Sequence, residues 1–182
     1  MYSKYKRHNI PGHAHELTFS CFKRQPFLKS DKVKNYIIES IECASYEHDF
    51  SIIAYVIMPE HVHLMIYPSA ELYSISKILK SIKQPVSKRV INQLRESNSI
   101  HLKRMETGLE SPQYRFWQDG GGYDRNYFTN KDILIQINYI HNNPIRRGLV
   151  ENPVEYEWSS AATWLSGVDG LLHVKKDMLL LS

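Results

Sequence analysis

Apolar residues recur along this chain at two periods, and the periods alternate in a definite order. From His13 to Phe22, Leu17, Phe19 and Cys21 alternate with Glu16, Thr18 and Ser20, the period of two expected of a half-buried strand. Ser30 or Asp31 then caps a helix to about Glu47, with Val33, Ile37, Ile38 and Ile41 at helical spacing. Ser51 to Ile57 reads as a second strand and Pro59-Glu60 as a turn. His61 to Tyr67 reads as a third strand, hairpin partner of the second and ended by Pro68. Glu71 to about Glu96 has a helical pattern, with Leu72, Ile75, Ile78, Leu79 and Ile82 inward, and Pro85 is expected to kink or split it. Asn98 to Pro112 is polar and reads as a loop or loose helix end. Tyr114 to Trp117 reads as a short aromatic strand, and Gly120 to Gly122 as a turn or a hinge for the helix beyond. Thr129 or Asn130 caps that helix, with Asp132 in its first turn. The helix is expected to end near Asn143, because Pro144 disfavours helical geometry in the residue before it. The remainder, with Trp158 and Trp164, is expected to fold back on the domain.

Strand, helix, strand, strand, helix, strand is the βαββαβ order of a ferredoxin-like α+β sandwich with an antiparallel sheet, here with one further helix and a tail. Its two helices cover one sheet face and leave the other open. The pattern predicts one domain over 1–182, with a core at about 8–160 and a tail at 161–182. The 182 residues, 42% hydrophobic and 23% charged, are ordinary for a globular chain with a sizeable core. No apolar run approaches the ~20 residues of a membrane span, and the basic N-terminus lacks an apolar signal core. Cys21 and Cys43 have neither metal spacing nor a disulfide framework, so a cytoplasmic location is the expectation. A net charge of +4 and a pI near 8.9 suit a phosphate-backbone partner without requiring one.

Candidate chemistry begins in Met58-Pro59-Glu60-His61-Val62-His63-Leu64. Residues two apart on a strand share a face, so His61 and His63 project together while Val62, Leu64 and Ile66 point to a core. Two imidazoles on an apolar strand are half of a metal site. On the last long helix, Ile133, Ile137 and Ile140 form an apolar stripe, and Asp132, Gln136, Tyr139 and Asn143 lie on a polar flank. If that helix crosses the open sheet face, Tyr139 meets the two histidines. Two imidazoles, a carboxamide oxygen and a phenol would then share one site. Three protein ligands leave positions open for phosphate oxygens, and the phenol is the nucleophile. A phenol ionises near pH ~10, so a base must help; water, His141 and Glu60 are the candidates.

Met-Pro-Glu-His-Val-His-Leu resembles the HUH motif of single-tyrosine transposases, the small insertion-sequence transposases. Phe116-Trp117-Gln118 with Tyr123-Asp124 and Asn126 resembles the stretch before that family's tyrosine helix, and Lys80-Ser81-Ile82-Lys83-Gln84 is similar to its central helix. Tyr139-Ile140-His141-Asn142-Asn143-Pro144, with Arg147-Gly148-Leu149-Val150, is similar to the tyrosine helix and exit of the REP-associated branch. The match runs over roughly residues 8 to 160. The resemblance implies cleavage and strand transfer on single-stranded DNA with hairpins or palindromic repeats. Tyr139 would give a 5′-phosphotyrosine and a free 3′-OH. His61 and His63 would be metal ligands, and Asn143, one turn after the tyrosine, the third, with Gln136 as competitor. The implied ion is Mg²⁺ or Mn²⁺, whereas ligand softness alone favours Mn²⁺ or Zn²⁺. Monomer and homodimer both occur among such enzymes.

Basic residues cluster at Lys4, Lys6 and Arg7, at Lys23-Arg24, at Lys77, Lys80 and Lys83, at Lys88-Arg89 and at Arg146-Arg147. Beside a phosphodiester-cleaving site they are candidate DNA contacts, with the N-terminal group and Arg146-Arg147 foremost. His13 and His15 share a strand face and read as a substrate-facing or structural pair. A non-catalytic nucleic-acid-binding module on the same fold is the alternative, and a phosphohydrolase using water a third reading.

Overall fold

Leu17 and Phe19 of β1 (Ala14–Ser20) and Val62, Leu64 and Ile66 of β3 (His61–Pro68) all point to one side of a sheet, as their period of two requires. The structure, a computed structural model, describes residues 8–120 and 122–177. On that side α1 (Asp31–His48) and α2 (Ile75–Glu96) lay down Ile37 and Ile41, and Ile78 and Ile82, all fully buried. Burying each such side chain stabilises the fold by roughly 1.5–3 kcal/mol. β2 (Phe50–Ile57) pairs with β3 as a hairpin, and β4 (Tyr123–Tyr127) pairs with β1. The sheet is antiparallel in the order β2-β3-β1-β4, the ferredoxin-like arrangement.

The second face is only partly open. α3 (Asn130–His141) lies over β2, and Ile133, Ile137 and Ile140 join Ala54, Val56, Met58 and Met65 in a separate buried cluster. Thr129 caps α3 by accepting the Asp132 N–H at 3.1 Å. The helix stops at His141, and the short α4 (Asn143–Arg146) continues with Pro144 in its first turn. The tail seals the free edge of β2. Ile57 N–H donates to the Trp158 carbonyl, Ser160 N–H to Tyr55, Lys175 N–H to Ile52 and the Trp164 indole to Ile53. α5 (Ala161–Ser166) is the helical part of this tail.

The structure corrects or refines several sequence expectations. The fourth strand is Tyr123–Tyr127, after the glycines. Phe116 to Gln118 only extends the pairing at the end of β1, through a Cys21–Trp117 bridge and the Gln118 N–H to Ser20 carbonyl bond. Leu72 is 94% exposed, because α2 begins three residues later at the Ser74 cap. The polar stretch after α2 contains a 3₁₀ turn, Ile100–Met105, that buries Met105. Pro85 does not split α2. Its ring removes the N–H that Ser81 carbonyl would accept, and the Ser40 hydroxyl of α1 takes that place, donating to the Ser81 and Ile82 carbonyls at 3.3 and 2.8 Å. The glycine run does not adjoin α3 either; β4 stands between. A Cβ on Gly122 (φ +71°) would lie 2.1 Å from the Thr18 carbonyl oxygen, so this glycine lets β4 approach β1.

Candidate active site

Cross-strand register assembles the site. Ser20 pairs with His61 and Thr18 with His63, so β1's polar set, Glu16, Thr18 and Ser20, lies beside the histidines on the α3 face. The two imidazoles converge, with their Nε2 atoms 3.1 Å apart. Their Nδ1 atoms turn outward to carboxylates: His61 Nδ1 is 3.2 Å from Glu60 Oε1, and His63 Nδ1 is 3.3 Å from Glu16 Oε1 and 2.8 Å from Thr18 Oγ1. Carboxylate acceptors favour the Nδ1–H tautomer, which leaves both Nε2 lone pairs facing one another. Burial, and then the neighbouring His63, push the His61 imidazole down to about 4, so it is neutral at physiological pH. Two facing lone pairs are complementary to a cation. Cis ligands each at about 2.1 Å from one ion stand about 3.0 Å apart, close to the observed spacing. Among the described residues no group of three His, Cys, Asp or Glu side chains could hold a metal, so any third protein ligand beside the two imidazoles would be of another type, such as an amide, hydroxyl or carbonyl oxygen.

α3 brings the phenol. Its isoleucine stripe faces the sheet, which leaves Tyr139 at the edge of the contact and 39% exposed. The Tyr139 ring meets the His63 ring edge to face, with centroids 5.9 Å apart. The chain then turns back through α4. Arg146 lies over the Tyr139 ring, 4.5 Å from its centroid, and Arg147 forms an ion pair with Glu60. Glu60 thus joins His61 to Arg147. Asn143 is buried, and its Nδ2 donates to the Tyr139 and Ile140 carbonyls at 2.9 and 3.2 Å. That caps the end of α3 and fixes the amide, a role that occupies the nitrogen and not the oxygen. Gln136, half-buried, sits one turn before Tyr139 on the same helix.

His141 does not belong to this group. It is buried, its Nε2 lies 2.8 Å from Ser160 Oγ, and burial pushes its imidazole down to about 4. It ties α3 to the tail and is not placed to serve Tyr139 as a base. His15 is fully buried on the opposite face, between Asp124 at 2.8 Å and the Tyr73 hydroxyl at 2.7 Å, which excludes the substrate-facing reading for it. Lys23 and Arg24 follow β1 at the His61 end of the sheet, both exposed. Lys4, Lys6 and Arg7 lie outside the described residues.

Sequence reasoning passed over Glu16 and Tyr127. Glu16 is 3% exposed, and its Oε2 accepts the Tyr127 hydroxyl at 3.2 Å. Burial, and then Glu16, push the Tyr127 phenol well above the ordinary tyrosine range, so it stays a protonated donor. The signal for Glu16 was present as an acidic residue on a strand whose other face is apolar. Its depth became visible only with the register.

Comparison with known proteins places the chain in a class. The family described as "Transposase IS200 like" matches residues 11–143, and the chain belongs to that family. A Haemophilus influenzae protein named as a REP-associated tyrosine transposase is 24% identical over 139 residues, 71% of this chain and 73% of that one. The structure of a REP-associated tyrosine transposase bound to a REP hairpin superposes with a TM-score of 0.69 at 19% identity, over 96% of this chain and 93% of that one, a likeness of fold.

Proposed function

We propose that this protein cleaves and rejoins single-stranded DNA through a covalent bond to Tyr139. The observation that carries the reading is the edge-to-face contact of Tyr139 with His63 beside the converging Nε2 atoms of His61 and His63. The Tyr139 oxygen attacks a backbone phosphorus. A P–O bond to tyrosine forms, the P–O3′ bond breaks, and the phenolic proton passes through solvent to the departing 3′-oxygen. Reversal by another 3′-OH restores a phosphodiester, so rejoining needs no external energy source. One divalent cation, Mg²⁺ or Mn²⁺, held by His61, His63 and the Asn143 oxygen, would polarise the phosphate.

The remaining residues orient. Glu16 and Glu60 hold the tautomers and planes of the two histidines. Arg146 steadies the tyrosine ring and offers its guanidinium to the phosphoryl oxygens of the intermediate. Arg147 neutralises Glu60, which limits carboxylate repulsion of the incoming phosphate. The substrate is single-stranded DNA carrying a hairpin, in keeping with the hairpin-bound structural relative.

The test is a denaturing gel of protein with end-labelled hairpin oligonucleotides and Mn²⁺. Wild type should carry label, whereas Tyr139→Phe and His61→Ala should carry none. Cleavage that persists in Tyr139→Phe without adduct would replace the phenol by a water nucleophile. Binding without cleavage in the wild type across a broad oligonucleotide panel would favour the non-catalytic binding module.

A further inference from the structure

The α3 face of the sheet has a sealed part and an uncovered corner. Tyr127, at the end of β4, is buried in the cluster under α3, while Tyr123, at its start, is 47% exposed and Arg125 is exposed beside it. Tyr123 and Arg125 share this face, because Tyr123 pairs with Thr18 and Arg125 with Glu16. Thr18 in turn pairs with His63, so His63, Thr18 and Tyr123 form one row across three strands. With strands ~4.8 Å apart, the Tyr123 backbone lies about 10 Å from that of His63. The Arg125 guanidinium sits 5.2 Å from the Tyr127 ring centroid and next to the Tyr123 phenol.

An exposed tyrosine on a sheet surface, with an arginine beside it and a phosphate-directed site in the same row, is the composition of a platform for unpaired bases. Core burial does not explain Tyr123, since nearly half of it is in solvent. We infer that Tyr123 and Arg125 form a single-strand binding subsite, in which a base flanking the scissile phosphate stacks on Tyr123 and its backbone phosphate meets Arg125. The subsite rests on the single-stranded-DNA reading above and extends it. The cleaved strand lies flat on the β1–β4 corner, and specificity for an unpaired flank follows, because a duplexed base has no free face to offer the ring.

Anisotropy of a labelled hairpin oligonucleotide with an unpaired flank, read in EDTA, tests this without any dependence on cleavage. Tyr123→Ala should weaken binding about tenfold or more, as expected for a lost base–aromatic stack. Tyr123→Phe should bind like wild type, and Arg125→Gln should weaken binding and flatten its salt dependence. Abasic substitution along the flank should reveal one position at which wild type and Tyr123→Ala bind alike. Equal affinity of Tyr123→Ala and wild type on the intact oligonucleotide overturns the subsite. So does a deficit that no abasic position removes. Loss of the Tyr139 adduct with this binding pattern intact would sink the covalent mechanism and leave the subsite standing.

Discussion

The two faces of the sheet are built from the same four strands and differ in what they bury. Toward α1 and α2, the inward residues of β1 and β3 are Leu17, Phe19, Val62, Leu64 and Ile66, with His15 the polar exception near the rim. Toward α3, the same strands offer Glu16, Thr18, His61 and His63, and the hydrophobic contact comes mainly from β2, with Met58, Met65, Ala14, Tyr127 and the isoleucines of α3. Stability alone accounts for the first face. It does not account for the second, where Glu16 and His63 are buried at 3% and 7% exposure and carry a desolvation cost that only a hydrogen-bonded or ion-binding arrangement offsets. The α3 face therefore holds one region that anchors a helix and another that gathers buried polar side chains around the two histidines, and the two should respond differently to change.

Ile137→Ala should have the largest effect on the anchoring region. Truncating a buried isoleucine there is expected to cost about 2–5 kcal/mol, measurable by urea unfolding. Because α3 carries Tyr139, adduct formation should fall with it, while DNA binding at the β1–β4 corner persists in the folded fraction. A next effect comes from His141 in the same region. Burial holds its imidazole at about 4 against an ordinary 6.5, so the folded protein takes up this proton less readily than the unfolded chain. Its contribution is complete above about pH 6.5, is lost as pH falls toward 4, and amounts to about 3 kcal/mol. Unfolding titrations of wild type and His141→Gln between pH 7 and 4 should converge as that component disappears; parallel curves would remove His141 as the source. The smallest of the three belongs to the histidine region. Glu16→Gln should leave the adduct attainable at high Mn²⁺ while raising the metal concentration needed by about 10- to 100-fold. An unchanged Mn²⁺ dependence would make Glu16 a structural partner of Tyr127 only.

Much of this could be read along the chain, for reasons that are local. Period-two alternation identified β1, apolar runs marked β2 and β3, and the shared face of His61 and His63 follows from strand geometry at any register. The Thr129 cap and the Ile133, Ile137 and Ile140 stripe defined α3 and placed Tyr139 on its flank. The fourth strand was misplaced because Tyr114 to Trp117 has the aromatic composition of a strand, whereas Tyr-Asp-Arg-Asn-Tyr does not. Strand identity there is set by pairing with β1, made possible by Gly122 against the Thr18 carbonyl. Pro85 leaves α2 unsplit for a similarly non-local reason, since the Ser81 carbonyl that it deprives of a donor accepts from Ser40 of another helix.

The sequence by itself determined the elements, their order and the residue types that can carry phosphoryl chemistry, because those depend on periodicity and on side-chain chemistry within a few residues. Tertiary structure alone decided which of them meet. Register between strands far apart in the chain set Glu16 against His63 and Tyr123 in the His63 row. The turn through Pro144 laid Arg146 on Tyr139 and Arg147 on Glu60, and burial beside Ser160 took His141 out of the site. Such contacts join residues whose separation in sequence carries no signal, and they are fixed only when one core closes around them.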